Sequence, residues 1–148
     1  MFMIELNLAL TRRSSWVLDT GCGTNLCNSL QGLRNVRKLG TGDLELRLGD
    51  GSRIIAEAVG IYDVTLCNGY VLILDPCYFI SNVVRNIISV SYLRNLGLEI
   101  RFQDIRCFAY SDNVCVGNGF IDNGLFVLTQ PKILSIERSN RKDKEKLN

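Results

Sequence analysis

Three apolar residues, Trp16-Val17-Leu18, run straight into Asp19-Thr20-Gly21, and beyond them the chain reads as short strands divided by turns. Asp43-Leu44-Glu45-Leu46-Arg47-Leu48 alternates polar with apolar at every step, the period of a half-buried strand. Gly49-Asp50-Gly51-Ser52 turns it, and Arg53 to Leu66 is expected to return as one long strand with a bulge at Gly60. Asn68-Gly69, between Thr65-Leu66-Cys67 and Tyr70-Val71-Leu72-Ile73-Leu74, is the pair that a two-residue hairpin favours. Asp75-Pro76 predicts a break, with Cys77 to Ile80 as a separate short strand. Asn86-Ile87-Ile88 is apolar and expected to be buried. Ser89 is placed to cap a short helix with an apolar face of Val90, Leu93 and Leu96, and Gly97 is its stop.

Further strands are predicted at Leu98 to Phe102, Ile105 to Tyr110, Val114 to Val116, Phe120-Ile121 and Leu125 to Leu128. Turns at Gln103-Asp104 and at the Asn-Gly pairs divide them. Cys22 to Asn28 is small and polar and reads as a loop, and Leu30 to Arg37 reads as an irregular basic connection. Short strands with turn signals about every ten residues argue an all-β fold closed into a barrel, with one short helix.

Composition agrees. The chain has 148 residues, 47% of them apolar, with thirteen glycines and only two prolines. One domain is the default at this length, and it can bury a core without disulfides or metal. Net charge is +2, but Lys132 to Asn148 alone carries six Lys/Arg against three Asp/Glu, so the body is near neutral and the tail is basic. A tail of this kind is expected to be disordered or a solvated helix end. It has no aromatic residue on which a base could stack, so nucleic acid is not an expected partner. Met1 to Leu10 is too short to span a membrane and lacks the basic start of a signal peptide.

The six cysteines at 22, 27, 67, 77, 107 and 115 include no C-x-x-C pair, and the chain has no histidine. Cys22 and Cys27 do not complete a zinc site of the usual spacing. No metal and no cofactor is therefore expected, and the cysteines read as reduced apolar residues of a cytoplasmic protein. The absence of histidine excludes Ser-His-Asp and Cys-His catalysis. Acid–base chemistry would fall to carboxylates, Lys, Tyr or Cys. Asp19 can hold or lose a proton, Thr20 can fix the turn, and Gly21 permits a close backbone approach. Two such carboxylates about 3 Å apart share one proton, so one can act as base and the other as acid. Asp also opens ordinary turns, and the tripeptide alone leaves both readings open.

The order of features is more specific than the tripeptide. Trp16-Val17-Leu18-Asp19-Thr20-Gly21-Cys22, Leu48-Gly49-Asp50-Gly51-Ser52, Cys77-Tyr78-Phe79, Arg85-Asn86-Ile87-Ile88-Ser89-Val90-Ser91-Tyr92-Leu93 and Asn123-Gly124-Leu125-Phe126-Val127-Leu128 follow one another in sequence. Together they resemble the aspartic protease region of copia-type LTR retrotransposon Pol polyproteins, as in plant elements, over roughly residues 16–129. The resemblance implies a retropepsin-like closed β-barrel at 16–130, an unrelated N-terminal extension at 1–15 and a basic tail at 131–148.

It implies further that the protein is an endopeptidase. Asp19 would be the catalytic carboxylate, and Thr20 and Gly21 would complete its loop. Gly49, Asp50, Gly51 and Ser52 would form the flap over the substrate. Ile87, Ile88 and Ser89 would pack behind the catalytic loop, with Ser89 where relatives of the wider fold have Gly. One Asp-Thr-Gly in 148 residues requires a homodimer to supply two carboxylates. The substrate would be an extended peptide of a Gag-Pol-type polyprotein. Asn25 stands in the region where many copia relatives have a histidine, and the zinc knuckle, integrase and reverse transcriptase of such polyproteins are not in these residues. The alternative expectation is a catalytically inactive retroelement β-barrel fragment serving dimerisation or binding.

Overall fold

The computed structural model describes residues 14–131, apart from 41, 43 and 48–50. Twelve strands lie among them: β1 (Trp16–Asp19), β2 (Asn25–Cys27), β3 (Leu33–Lys38), β4 (Glu45–Arg47), β5 (Arg53–Ile55), β6 (Ala58–Thr65), β7 (Val71–Phe79), β8 (Asn86–Ser89), β9 (Glu99–Gln103), β10 (Arg106–Ser111), β11 (Val114–Asp122) and β12 (Leu125–Leu128). The helix α1 (Val90–Asn95) follows β8 directly. Ten strands form a single sheet in the order β3-β6-β7-β2-β8-β1-β12-β11-β10-β9, and β4 pairs with β5 alone. The expected all-β chain with one short helix is what forms. Closure is not: among the described residues the hydrogen-bonded order runs from β3 to β9 and no sheet returns on itself. The extension and the tail lie almost wholly outside the described residues.

Alternation sends the two faces of this sheet to two apolar clusters. Trp16 and Leu18 of β1, Leu74 of β7 and Ile88 of β8 join Leu93, Leu98, Cys107 and Leu128 in the main core. Leu26, Ala56 and Ile80 form a second cluster, against which Ile87 and the hairpin residues Leu46 and Ile54 pack. Neighbouring Ile87 and Ile88 therefore serve different clusters. Trp16 meets Tyr62 edge to face at a centroid distance of 4.8 Å, a favoured geometry for aromatic pairs.

Several elements depart from the sequence expectations, each for a local reason. Cys22 to Asn28 is not all loop, since Asn25, Leu26 and Cys27 form β2 and are wholly buried. Leu30 to Arg37 is not irregular throughout. It supplies β3, an edge strand that buries only Leu33 and changes register between Arg34 and Arg37, with Asn35 at φ 54°. The long return from Arg53 to Leu66 is interrupted, because Ala56 donates to Leu44 O (3.2 Å) while Glu57 donates to Phe79 O (3.0 Å), so the chain changes partner there.

Pro76 does not break β7. The β6–β7 ladder shifts register between Gly60 and Tyr62, with Gly60 opposite Cys77 and Tyr62 opposite Leu74, which leaves an extra residue on the proline strand. A bulge is where a sheet tolerates proline; the register does shift next to Gly60, but the extra residue lies on β7 and not, as expected, at Gly60 itself. Asn118-Gly119 makes no turn either. It lies inside continuous β11, and a Cβ on Gly119 would stand 2.5 Å from Val127 O and 2.8 Å from Cys107 Sγ. The glycine is required by close approach of β12, not by a reversal of the chain.

The hairpin forms, but its loop has three residues, Cys67, Asn68 and Gly69, rather than two: Leu66 donates to Tyr70 O at 2.7 Å, and Gly69 alone of the loop takes positive φ, 89°. Asn123 and Gly124 also take positive φ between β11 and β12. α1 has Ser89 as N-cap. It ends in a Schellman motif, Leu98 N–H to Leu93 O (3.0 Å) and Gly97 N–H to Arg94 O (2.9 Å). Leu96 is not part of its apolar face, being 52% exposed at the C-cap, whereas Val90 and Leu93 are buried.

Gly119→Ala is expected to destabilise the protein by about 3 kcal/mol, because backbone and a buried thiol must both yield. The check is a lower urea midpoint at unchanged slope.

Candidate functional site

The sheet places Asp19 at the end of β1, where the chain leaves it for β2. These consecutive strands are not neighbours: β8 lies between them, parallel to β1 and antiparallel to β2. Trp16, Val17, Leu18 and Asp19 pair in register with Asn86, Ile87, Ile88 and Ser89. On its other side β1 pairs with β12 only at Val17 and Leu18. Within the ladders, the carboxylate residue is thus held laterally through Ser89.

Asp19 is half-buried, while Thr20 and Gly21 are exposed. The Gly21 N–H donates to Asp19 Oδ1 at 2.7 Å, a local turn that fixes one carboxylate oxygen and leaves the other lone pairs outward. Alternation puts Asp19 on the same face as Val17 and Ile87, opposite Leu18 and Ile88 of the main core. This is the face of the β4–β5 hairpin. Cys22, next in the loop, packs with Ile87, Leu46 and Ile54 around Leu26, Ala56 and Ile80. The apolar underside of the hairpin and the floor beside Asp19 are one cluster.

The hairpin pairs Glu45 with Ile55, Leu46 with Ile54 and Arg47 with Arg53. Of the four residues expected at its tip, Gly49 and Asp50 lie outside the described residues. Gly51 is exposed at φ 87°, and Ser52 is exposed. Ile87, Ile88 and Ser89 pair with Val17, Leu18 and Asp19 in the neighbouring strand of the sheet.

Sequence reasoning missed the polar support. Ser89 is wholly buried. Its N–H donates to Asn25 Oδ1 (2.9 Å), and its Oγ accepts from Tyr92 N–H (3.2 Å) and lies 2.8 Å from Ser91 Oγ. Asn25, also wholly buried, donates through Nδ2 to Pro76 O at 3.1 Å. Tyr92 closes the circuit, its hydroxyl accepting from Asp75 N–H (3.0 Å) and donating to Ile73 O (2.7 Å). A second asparagine does the same at the far end of β8. Asn86 accepts from Asn28 N–H (2.9 Å) and donates to Ser14 O (3.1 Å). The only clue to any of this in the sequence was Ser89 as a helix cap. An orphaned buried amide costs about 1–3 kcal/mol, and among the described residues every buried side-chain nitrogen and oxygen has a partner.

The thiols split by position. Cys27, Cys77 and Cys107 are buried, Cys22 is half-buried, and Cys67 and Cys115 are exposed rather than part of the core. None is in a disulfide. The Cys77 thiol is pushed up by its hydrogen bond with Cys27 and by burial. Cys22 is raised chiefly by burial, with the Asp19 carboxylate adding to the rise, and its thiol donates to Thr24 O at 3.2 Å. No group of three or more His, Cys, Asp or Glu that could hold a metal occurs among the described residues.

Residues 16–98, more than half the chain, match a family described as "Pol polyprotein, beta-barrel domain". No curated protein and no solved structure matches.

Two predictions follow from these contacts. Ser89→Ala removes the cap of α1 and is expected to cost about 1 kcal/mol, read from urea unfolding. Asp19→Asn removes a negative charge that disfavours the Cys22 thiolate, so the Cys22 pKa falls and its alkylation near neutral pH speeds up. Residue-resolved mass spectrometry of iodoacetamide labelling checks this, with Cys67 and Cys115 labelled at unchanged rates.

Proposed function

The chain belongs to the Pol polyprotein β-barrel domain family, and from that premise we propose that it is a copia-type retroelement aspartic endopeptidase, active as a homodimer. The observation that carries this reading is the placement of Asp19-Thr20-Gly21. The loop leaves β1 where β8 has been inserted between β1 and β2. It holds a half-exposed carboxylate against its own glycine amide, on the same side of the sheet as the β4–β5 hairpin.

One chain supplies one such loop. Two copies facing each other bring the two Asp19 carboxylates together, where they hold a single proton between them. The ionised one takes a proton from a water molecule as that water attacks the scissile carbonyl. The protonated one donates to the carbonyl oxygen, and the proton then passes to the leaving amine. An extended polyprotein segment lies under the hairpin as an added strand, with backbone hydrogen bonds giving affinity and apolar pockets giving selectivity. Gly49, Asp50, Gly51 and Ser52 are the flap of this arrangement, one from each chain. The unpaired thiols suit the reducing cytoplasm in which a Gag-Pol-type polyprotein is made.

The test is digestion of a mixed peptide library between about pH 4 and 7, where a shared-proton dyad can work. Wild type and Asp19→Asn are compared at a concentration that favours dimers. Cuts made by wild type and absent with Asp19→Asn are expected. No cuts by either, from a protein shown to be folded and dimeric, would reject the protease reading in favour of a non-catalytic dimerisation or binding module.

A further inference from the structure

We propose that Asn25 is the positioning residue of the Asp19 loop, an inference that rests on reading Asp19 as the catalytic carboxylate. At the level of Asp19 the ladder partner of β1 is Ser89, because β12 pairs only as far as Leu18. The place of Asp19 in the sheet therefore depends on what fixes Ser89. β2 and β8 pair through one residue couple, Leu26 with Ile87. Beyond it the Asn25 side chain extends the contact, taking the Ser89 N–H on Oδ1 and reaching Pro76 O of β7 through Nδ2. Asn25 and Ser89 are both 0% exposed, so water does not compete for either bond. One amide thus sets the spacing of three strands behind the carboxylate.

Asn86 supplies an internal control. It bridges β8 to Asn28 and Ser14 with the same chemistry and similar burial, but level with Trp16, at the opposite end of β1. A residue that merely stabilises the sheet would behave alike at either end. A positioning residue would not.

The experiment compares wild type, Asn25→Leu, Asn25→Asp and Asn86→Leu on the best-cut library peptide, with kcat expressed per folded molecule. Asn25→Leu is expected to lose about 100-fold in kcat with KM within about threefold, and Asn86→Leu to keep kcat within about threefold. Asn25→Asp is the rescue. Its neutral carboxyl can both accept from Ser89 and donate to Pro76 O, so activity returns at acid pH. That activity is lost as pH rises through the pKa of the new carboxyl, a limb absent from wild type. Equal losses in the two leucine variants, or a wild-type pH profile for Asn25→Asp, would overturn the proposal.

If wild type shows no Asp19-dependent cleavage, the protease reading fails by itself and positioning is read by NMR. The Gly21 N–H is held by Asp19 Oδ1 at 2.7 Å, so its hydrogen-exchange protection reports the position of the loop. Loss of that protection in Asn25→Leu but not in Asn86→Leu supports the proposal. Unchanged Gly21 protection in Asn25→Leu overturns it.

Discussion

β8 can lie between β1 and β2 because two buried asparagines complete ladders that its short neighbours cannot. A three-residue strand offers few backbone groups, and every amide of a buried strand must find a partner. Asn25 and Asn86 each use one acceptor and one donor of a planar amide, the pair that a peptide group would offer there. They lengthen β2 by proxy, one at each end. The rest of the site inherits its geometry from this substitution of side chain for backbone. Ser89 is fixed, so α1 starts where it does. Tyr92 on α1 can then reach the β7 groups on either side of Leu74.

Burial supplies the second half of the arrangement. The face of the sheet that carries Asp19 is not bare, since Ile87, Cys22, Leu46 and Ile54 close over Leu26 and Ile80. A hairpin that among the described residues has no ladder to the main sheet is thereby held against it by side-chain packing, beyond its chain link through Ala56-Glu57 into β6. Apolar packing is non-directional and tolerates small displacements better than a hydrogen-bonded ladder does.

Much of the fold was legible where local chemistry decides the outcome. Gly69, Asn123 and Gly124 take left-handed backbone as their residue types permit, and Ser89 and Gly97 bracket the helix. Where tertiary contacts decide, the sequence was silent or misleading. Asn25-Leu26-Cys27 looks like loop because an asparagine and a cysteine carry no alternation, yet all three are buried. β3 presents five exposed residues behind Leu33, so no period could reveal it. Pro76 and Asn118-Gly119 were read through their ordinary local meanings, but a bulge absorbs the first and the approach of β12 requires the glycine of the second. The Asp19 loop itself was legible as three letters. Its support was not, because Asn25 finds its partners 51 and 64 residues away.

The parallel pairing of β1 with β8 also has a bearing on time. β1 is the first strand of the sheet to be synthesised, and both strands that flank it come late, at residues 86–89 and 125–128. Trp16, Val17 and Leu18 must therefore wait, apolar and unpaired, while most of the domain emerges. Contacts that span such distances form slowly, since loop closure precedes their reward. A carboxylate mounted on the earliest strand and steadied by the latest ones is assembled only when the domain is essentially whole. That delay leaves the Asp19 loop without its β8 and β12 supports until residues up to 128 have left the ribosome.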